Sequence, residues 1–183
     1  VWKINYTNIY AKLTSDFPTS GGIPIDGLYP SKYLTAHHLS INIKPNFNIG
    51  LYEAIIFERK DSNRINYGYD LAYLNPLIFY RAVEQNLGSP DNALIGLNAK
   101  WNIKHKLQLY GQLVLDEFKL SEIKAQNGWW ANKFGIQSGF KYIDAFGVNN
   151  LHLQGEINIV RPYTYSHGKS LASYTHFKKP LAH

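Results

Sequence analysis

The sequence predicts an all-β fold, namely about seven antiparallel strands of a transmembrane β-barrel. Three observations point there. Several segments alternate apolar and polar residues over roughly 10–12 positions, the length that crosses a bilayer at a tilt. The connections between them alternate long and short, as extended surface loops and brief periplasmic turns do in outer-membrane barrels. The polar faces carry Gln, Asn and Gly more than the Lys and Glu of a fully solvated sheet face.

The strand at 1–13 opens on "VWKINY", already inside an alternating pattern. That start reads as a processed chain or a fragment, from which any targeting signal would be missing. A long connection, "TSDFPTSGGIPIDGLYPSK", leads to the strand at 33–44, and only "PNF" separates this from the next at 48–59. The long stretch 60–91 follows, then a strand at 92–103, the short "KHK", and a strand at 107–118. "KLSEIKAQNGWW" leads to the strand at 131–142, and "IDAFGVN" to the last at 150–161, after which a long tail begins at Pro162.

Within "LQLYGQLVLDEF" (107–118), Leu107, Leu109, Leu113 and Leu115 share one face while Gln108, Tyr110, Gln112 and Asp116 share the other. A soluble sandwich buries such leucines in protein, whereas a barrel turns them to lipid and the glutamines to a wet lumen. The same split recurs at 150–161, with Leu151, Leu153, Ile157 and Ile159 opposite His152, Gln154, Glu156 and Asn158. Trp101, Tyr142 and Phe118 fall at strand ends, where an interfacial aromatic girdle sits. The leucines are therefore assigned to lipid.

"NIGLYEAIIFER" is the exception. Both its faces are apolar, and Glu53 shares a face with Leu51, Ile55 and Phe57. The 60–91 stretch contains "YLNPLIFYRAVEQ", too apolar for a free loop. A short helix folded from it into the lumen would account for both. On this reading residues 1–161 form part of a barrel, and 162–183 are an extracellular loop or the chain end.

Composition narrows the chemistry. Without Cys, the chain has no disulfide, thiolate metal site or Cys nucleophile. No window approaches the run of about 18 apolar residues of a membrane-spanning helix, which leaves barrels untouched. The 14 Tyr, 9 Phe and 4 Trp are a β-rich set. The formal charge of +6 favours acidic glycans, headgroups or nucleic acid only weakly, because no basic run stands out beyond "HFKK".

No catalytic or metal site is legible. Asp116 and Glu117, like His37 and His38, are strand neighbours that point to opposite faces. His152, His167, His176 and His183 lack ligand spacing, and "SGG" and "SHGKS" lack the phosphate-loop pattern. Aromatics stack on sugar faces, which makes Trp129, Trp130, Tyr163 and Tyr165 candidates for glycan contact, with Tyr174 beside them. Gln112, Asp116, Gln154 and Glu156 are the candidates for its hydrogen bonds. The bland reading of the same aromatics is an interfacial girdle or loop packing. No cofactor, metal or nucleic-acid partner is expected.

"YLNPLIFYRAVEQNLGSPDNALIGLNAKWNI", followed by "LQLYGQLVLDEF", resembles the Wzi-type capsule-assembly proteins, especially their gliding-motility members in Bacteroidetes. "HHLSINI" and "SYTHFKKPLAH" resemble that group as well. The resemblance implies an outer-membrane barrel of about eighteen strands, of which this chain would hold seven. It implies no catalysis, a role in surface polysaccharide attachment or gliding motility, and partners among motility and secretion proteins. A passive pore, an outer-membrane lipid hydrolase, and a soluble lectin-like or lipocalin-like β-domain are the alternatives.

Overall fold

The computed structural model describes residues 3–18, 29–58, 71–79, 91–116, 133–166 and 170–181. It contains a seven-stranded antiparallel sheet whose spatial order follows the sequence, β1 to β7. The strands are β1 (Lys3–Thr14), β2 (Ser31–Lys44), β3 (Phe47–Phe57), β4 (Asn92–Ile103), β5 (Leu107–Asp116), β6 (Lys133–Tyr142) and β7 (Leu153–Val160). All seven expected strands are present, with bounds within three residues of those expected; the expected residues 1–2, 59, 117–118 and 131–132 lie outside the described residues. A separate two-stranded ribbon pairs β8 (Thr175–His176) with β9 (Lys179–Pro180). Among the described residues β1 and β7 do not pair with each other, so no closed barrel is seen. No helix among them is long and apolar enough to cross a membrane.

The chain divides into two compact units, the first being 1–7, 38–52 and 95–164. Here the β5–β6 register sets Leu109 opposite Phe140 and Leu113 opposite Ile136. The β6–β7 register continues the row, pairing Phe140 with Gly155 and Ile136 with Ile159. Phe47 and Trp101 meet edge-on at 6.3 Å, which brings β3 and β4 onto the same face. From β2 to β7 this face carries Leu39, Ile41, Ile49, Leu51, Ile95, Leu97, Leu107, Ile157 and their neighbours. Within residues 38–52 and 95–164 it holds no Asp, Glu, Lys or Arg among the described residues, whereas Glu53, next on that side of β3, is buried. It is also open, with Ile136 42% and Ile157 66% exposed. The opposite face is polar and is open as well, with Gln154, Glu156 and Asn158 exposed.

Two tight connections close this unit. Lys104 and His105 both have positive φ, 48° and 59°, and the Lys106 N–H donates to the Ile103 carbonyl at 3.2 Å. The 143–152 connection contains a short 3-10 turn, Ala145–Gly147, where Gly147 sits at φ 82°, a value glycine adopts without a Cβ clash.

The second unit comprises 8–37, 53–94 and 165–183, and its strand ends are covered on both faces. On one face Tyr33, Ile55, Phe57 and Tyr73 form a buried cluster, with the Tyr73 ring stacked on Phe57 at 3.7 Å between centroids. Burial of each such side chain is worth about 1.5–3 kcal/mol. On the other face, residues 172–175 form a strap. The Tyr174 hydroxyl accepts from the Leu94 N–H at 3.1 Å and lies 2.7 Å from the Ala54 carbonyl and 2.9 Å from that of Asn92. Lys32, fully buried, donates to the Ser173 carbonyl and the Thr175 hydroxyl, both at 2.8 Å. The Asn92 amide donates to the Ala172 carbonyl at 2.9 Å.

Double cover explains the apolar character of both β3 faces, where Ile55, Ile56 and Phe57 are all buried. Within 60–91, the described residues 71–79 lie against the face of Glu53 and Phe57. They form a 3-10 turn at Leu71–Leu74. The Phe79 N–H donates to Glu53 Oε1 at 2.8 Å, and the same oxygen lies 2.8 Å from His37 Nδ1. The polar-side cover therefore comes from the tail and not from 71–79.

Candidate functional site

The polar face of the first unit is a continuous hydrogen-bonded surface. On β2 and β3, the Asn48 amide donates to Ser40 Oγ and Asn42 Oδ1, each at 2.8 Å. His38 Nε2 lies 3.1 Å from Asn98 Oδ1 on β4, and the Gln108 amide of β5 donates to Asn102 Oδ1 at 2.8 Å. Gln112 donates its amide to the Tyr52 hydroxyl, which donates to the Leu113 carbonyl at 3.3 Å.

The clearest constellation lies on β5, β6 and β7. Tyr110 donates its hydroxyl to Glu156 Oε2 at 2.7 Å, and the Asn158 amide donates to Glu156 Oε1 at 2.8 Å. The Gln154 amide reaches the Tyr110 hydroxyl at 3.5 Å, and Lys141 Nζ lies 5.8 Å from the Tyr110 ring centroid. Both tyrosines depend on glycines of the neighbouring strand. A Cβ on Gly96 would run into the Tyr52 ring, and one on Gly139 into the Tyr110 ring. The rings thus lie across the sheet, each hydroxyl held among amides.

The surface offers amides, hydroxyls, one carboxylate and a few lysines. That donor and acceptor set suits a polyhydroxylated ligand. Its solvent-facing carboxylate, Glu156, accepts the Tyr110 hydroxyl. Among the described residues no three His, Asp or Glu side chains come together as a metal site.

Of the residues read from the sequence, Gln112, Gln154 and Glu156 stand on this face. Asp116 is fully buried at the end of β5, in register with buried Lys133, and presents nothing to a ligand from solvent. Tyr163 is 77% exposed, while Tyr165 packs edge-on to Tyr174 at 6.5 Å. Trp129, Trp130, Phe118, Glu117, His167 and His183 lie outside the described residues. Tyr52 and Tyr110 were missed as site residues, although each is a Tyr on a polar face with Gly in the adjacent strand.

Two-faced sheets of this kind define a class by architecture alone: an all-β chain with one hydrogen-bonded face and one open apolar face. Set against known proteins, the chain matches no family model, no curated protein and no solved structure.

Proposed function

We propose that the chain is a wall segment of a bacterial outer-membrane β-barrel that binds surface polysaccharide without catalysis. The observation that carries this reading is the open apolar face. A soluble monomer rarely exposes a contiguous apolar patch beyond a few hundred Å². Here, within residues 38–52 and 95–164, an apolar face without Asp, Glu, Lys or Arg among the described residues runs across six strands, while the opposite face is wired with polar bonds. From Ile95 to Ile103 the apolar side of β4 extends about 26 Å at a rise of about 3.3 Å per residue, on the scale of the roughly 25 Å lipid-facing band of such barrels. The Phe47–Trp101 and Tyr142–Phe146 contacts lie at the short-turn end, where an aromatic girdle belongs.

Within this reading the long connections face outward and the polar face lines the lumen. The resemblance to the Wzi-type group supports polysaccharide attachment, and gliding-motility or secretion proteins as further partners. An amide-lined face also suits a passive pore. Against that stands the strap at 172–175, which covers the polar side at Lys32, Asn92 and Leu94.

The test is retention of purified surface polysaccharide by the folded protein in detergent. Replacing Gln154 and Glu156 together by Ala removes two hydrogen-bonding groups at about 0.5–1.5 kcal/mol each, and retention should fall roughly tenfold with assembly intact. Undiminished retention by this variant would remove the β7 face from the ligand site.

A further inference from the structure

The 143–152 connection at the short-turn end carries a feature that neither barrel closure nor ligand binding requires. Phe146 is 80% exposed and Val148 56% exposed, at the tip of a connection held in one shape. The Gly147 N–H donates to the Asp144 carbonyl at 3.1 Å, the Val148 N–H to that of Ala145 at 3.0 Å, and the Ala145 N–H to that of Leu151 at 2.9 Å. Asp144 Oδ1 accepts the Asn150 N–H at 3.0 Å. Ala145 is fully buried beneath these bonds. Asp144, Phe146 and Asn150 all sit at positive φ, 49°, 55° and 64°, each a sparsely populated conformation for a residue with a Cβ. The turn thus buries its alanine and holds its phenyl outward at a conformational cost, the opposite of a loop collapsing on its own apolar groups.

Its surroundings indicate what the phenyl enters. The Phe146 ring meets Tyr142, on the apolar face, edge-on at 5.7 Å, which continues the apolar surface past the strand end. The adjacent turn is Lys104, His105 and Lys106, all exposed. The two turns are joined, with the Ile143 N–H donating to the Lys106 carbonyl at 2.8 Å and Lys106 Nζ 3.6 Å from Asp144 Oδ2. An apolar tip beside a basic turn matches the interface of an anionic leaflet, where acyl chains take aromatic groups and phosphates take lysines.

We propose that the 143–152 turn is a leaflet anchor, with Phe146 and Val148 inserted at the acyl boundary and Lys104, His105 and Lys106 against anionic headgroups. The proposal rests on the barrel reading and adds to it a lipid-specific contact that fixes the depth of the short-turn end.

The chain has no Cys, so single cysteines take a fluorophore cleanly. Phe146→Cys and Leu109→Cys are each labelled with an environment-sensitive dye, and the full protein is reconstituted into vesicles containing acyl-brominated lipid. Vesicles of phosphatidylcholine alone are compared with vesicles carrying phosphatidylglycerol. The anchor predicts that emission at 146 falls by about half or more, and further in the anionic vesicles. Quenching at 109 without quenching at 146 overturns the anchor and leaves the barrel standing. Absence of quenching at 109 overturns the barrel reading itself. Equal quenching at 146 in both vesicle types overturns the headgroup contact.

Discussion

On the barrel reading, Ile136→Arg is expected to stop the protein from assembling in the outer membrane, while Gln137→Arg, one residue along β6, leaves assembly intact. Ile136 stands in the middle of the apolar face, between Leu113 and Ile159 in the strand register. An Arg near the bilayer midplane on the lipid side of a barrel costs about 2–4 kcal/mol. Gln137 faces the opposite way, between Gln112 and Asn158, where a guanidinium finds water and amide acceptors. The pair is informative because a soluble sheet predicts a different result at Ile136. That side chain is already 42% exposed, and an exposed position in water tolerates Arg within about 0.5 kcal/mol. The yield of folded protein in the membrane fraction, measured for both variants side by side, checks the prediction.

The second large effect is expected at Glu53. This carboxylate is 1% exposed, lies 2.8 Å from His37 Nδ1 and accepts the Phe79 N–H at 2.8 Å. Removing one partner of a buried pair of this kind costs about 3–5 kcal/mol, because the remaining polar groups lose the interaction for which they were desolvated. Glu53→Ala should therefore lower the urea midpoint strongly and release residues 71–79 from the sheet. Glu53→Gln keeps an oxygen for the Phe79 N–H and should lose about 1–2 kcal/mol. Replacing His37 and Glu53 together by Leu should recover most of the loss, as buried pairs exchanged for apolar groups usually do. A Glu53→Ala midpoint equal to that of the wild type would show that the pair carries none of this stability.

The strands were legible in the sequence because their signal is local. Alternation such as that of Leu107, Leu109 and Leu113 against Gln108, Tyr110 and Gln112 needs only neighbouring residues. Even the anomaly of β3 was legible, since Glu53 among Leu51, Ile55 and Phe57 announced cover on both faces. The source of that cover was not. Lys32 meets Ser173 and Thr175, and Tyr174 meets Ala54 and Asn92, across separations that no periodicity encodes. The apolar content of 60–91 suggests a short helix folded into the lumen, and the tail reads as a loop or chain end. Among the described residues, 71–79 lie on the Glu53 face and 172–175 form the polar-side strap. The site was half legible for a related reason. Gln112, Gln154 and Glu156 were marked by the polar face alone, whereas Tyr52 and Tyr110 acquire their posture from Gly96 and Gly139, which only strand register brings beneath them. Asp116 shared their face in the alternation, but burial at the strand end removes it from solvent.

The Tyr110 hydroxyl and the Asn158 amide hold the Glu156 carboxylate in a fixed arrangement of donors and acceptors. On the proposed reading, repeated hydroxyls of a polymer would meet many such modest contacts, and avidity along it can exceed the affinity of any one site.

The central claim is that the apolar face meets lipid. Fractionation of the full-length protein tests it most directly, with gel mobility compared before and after boiling. The account predicts that the protein stays with the outer membrane until detergent extracts it, and that the unboiled form migrates differently from the boiled one. Recovery as a water-soluble monomer with one mobility would contradict it, and would return Leu109, Ile136 and Ile157 to the core of a protein interface.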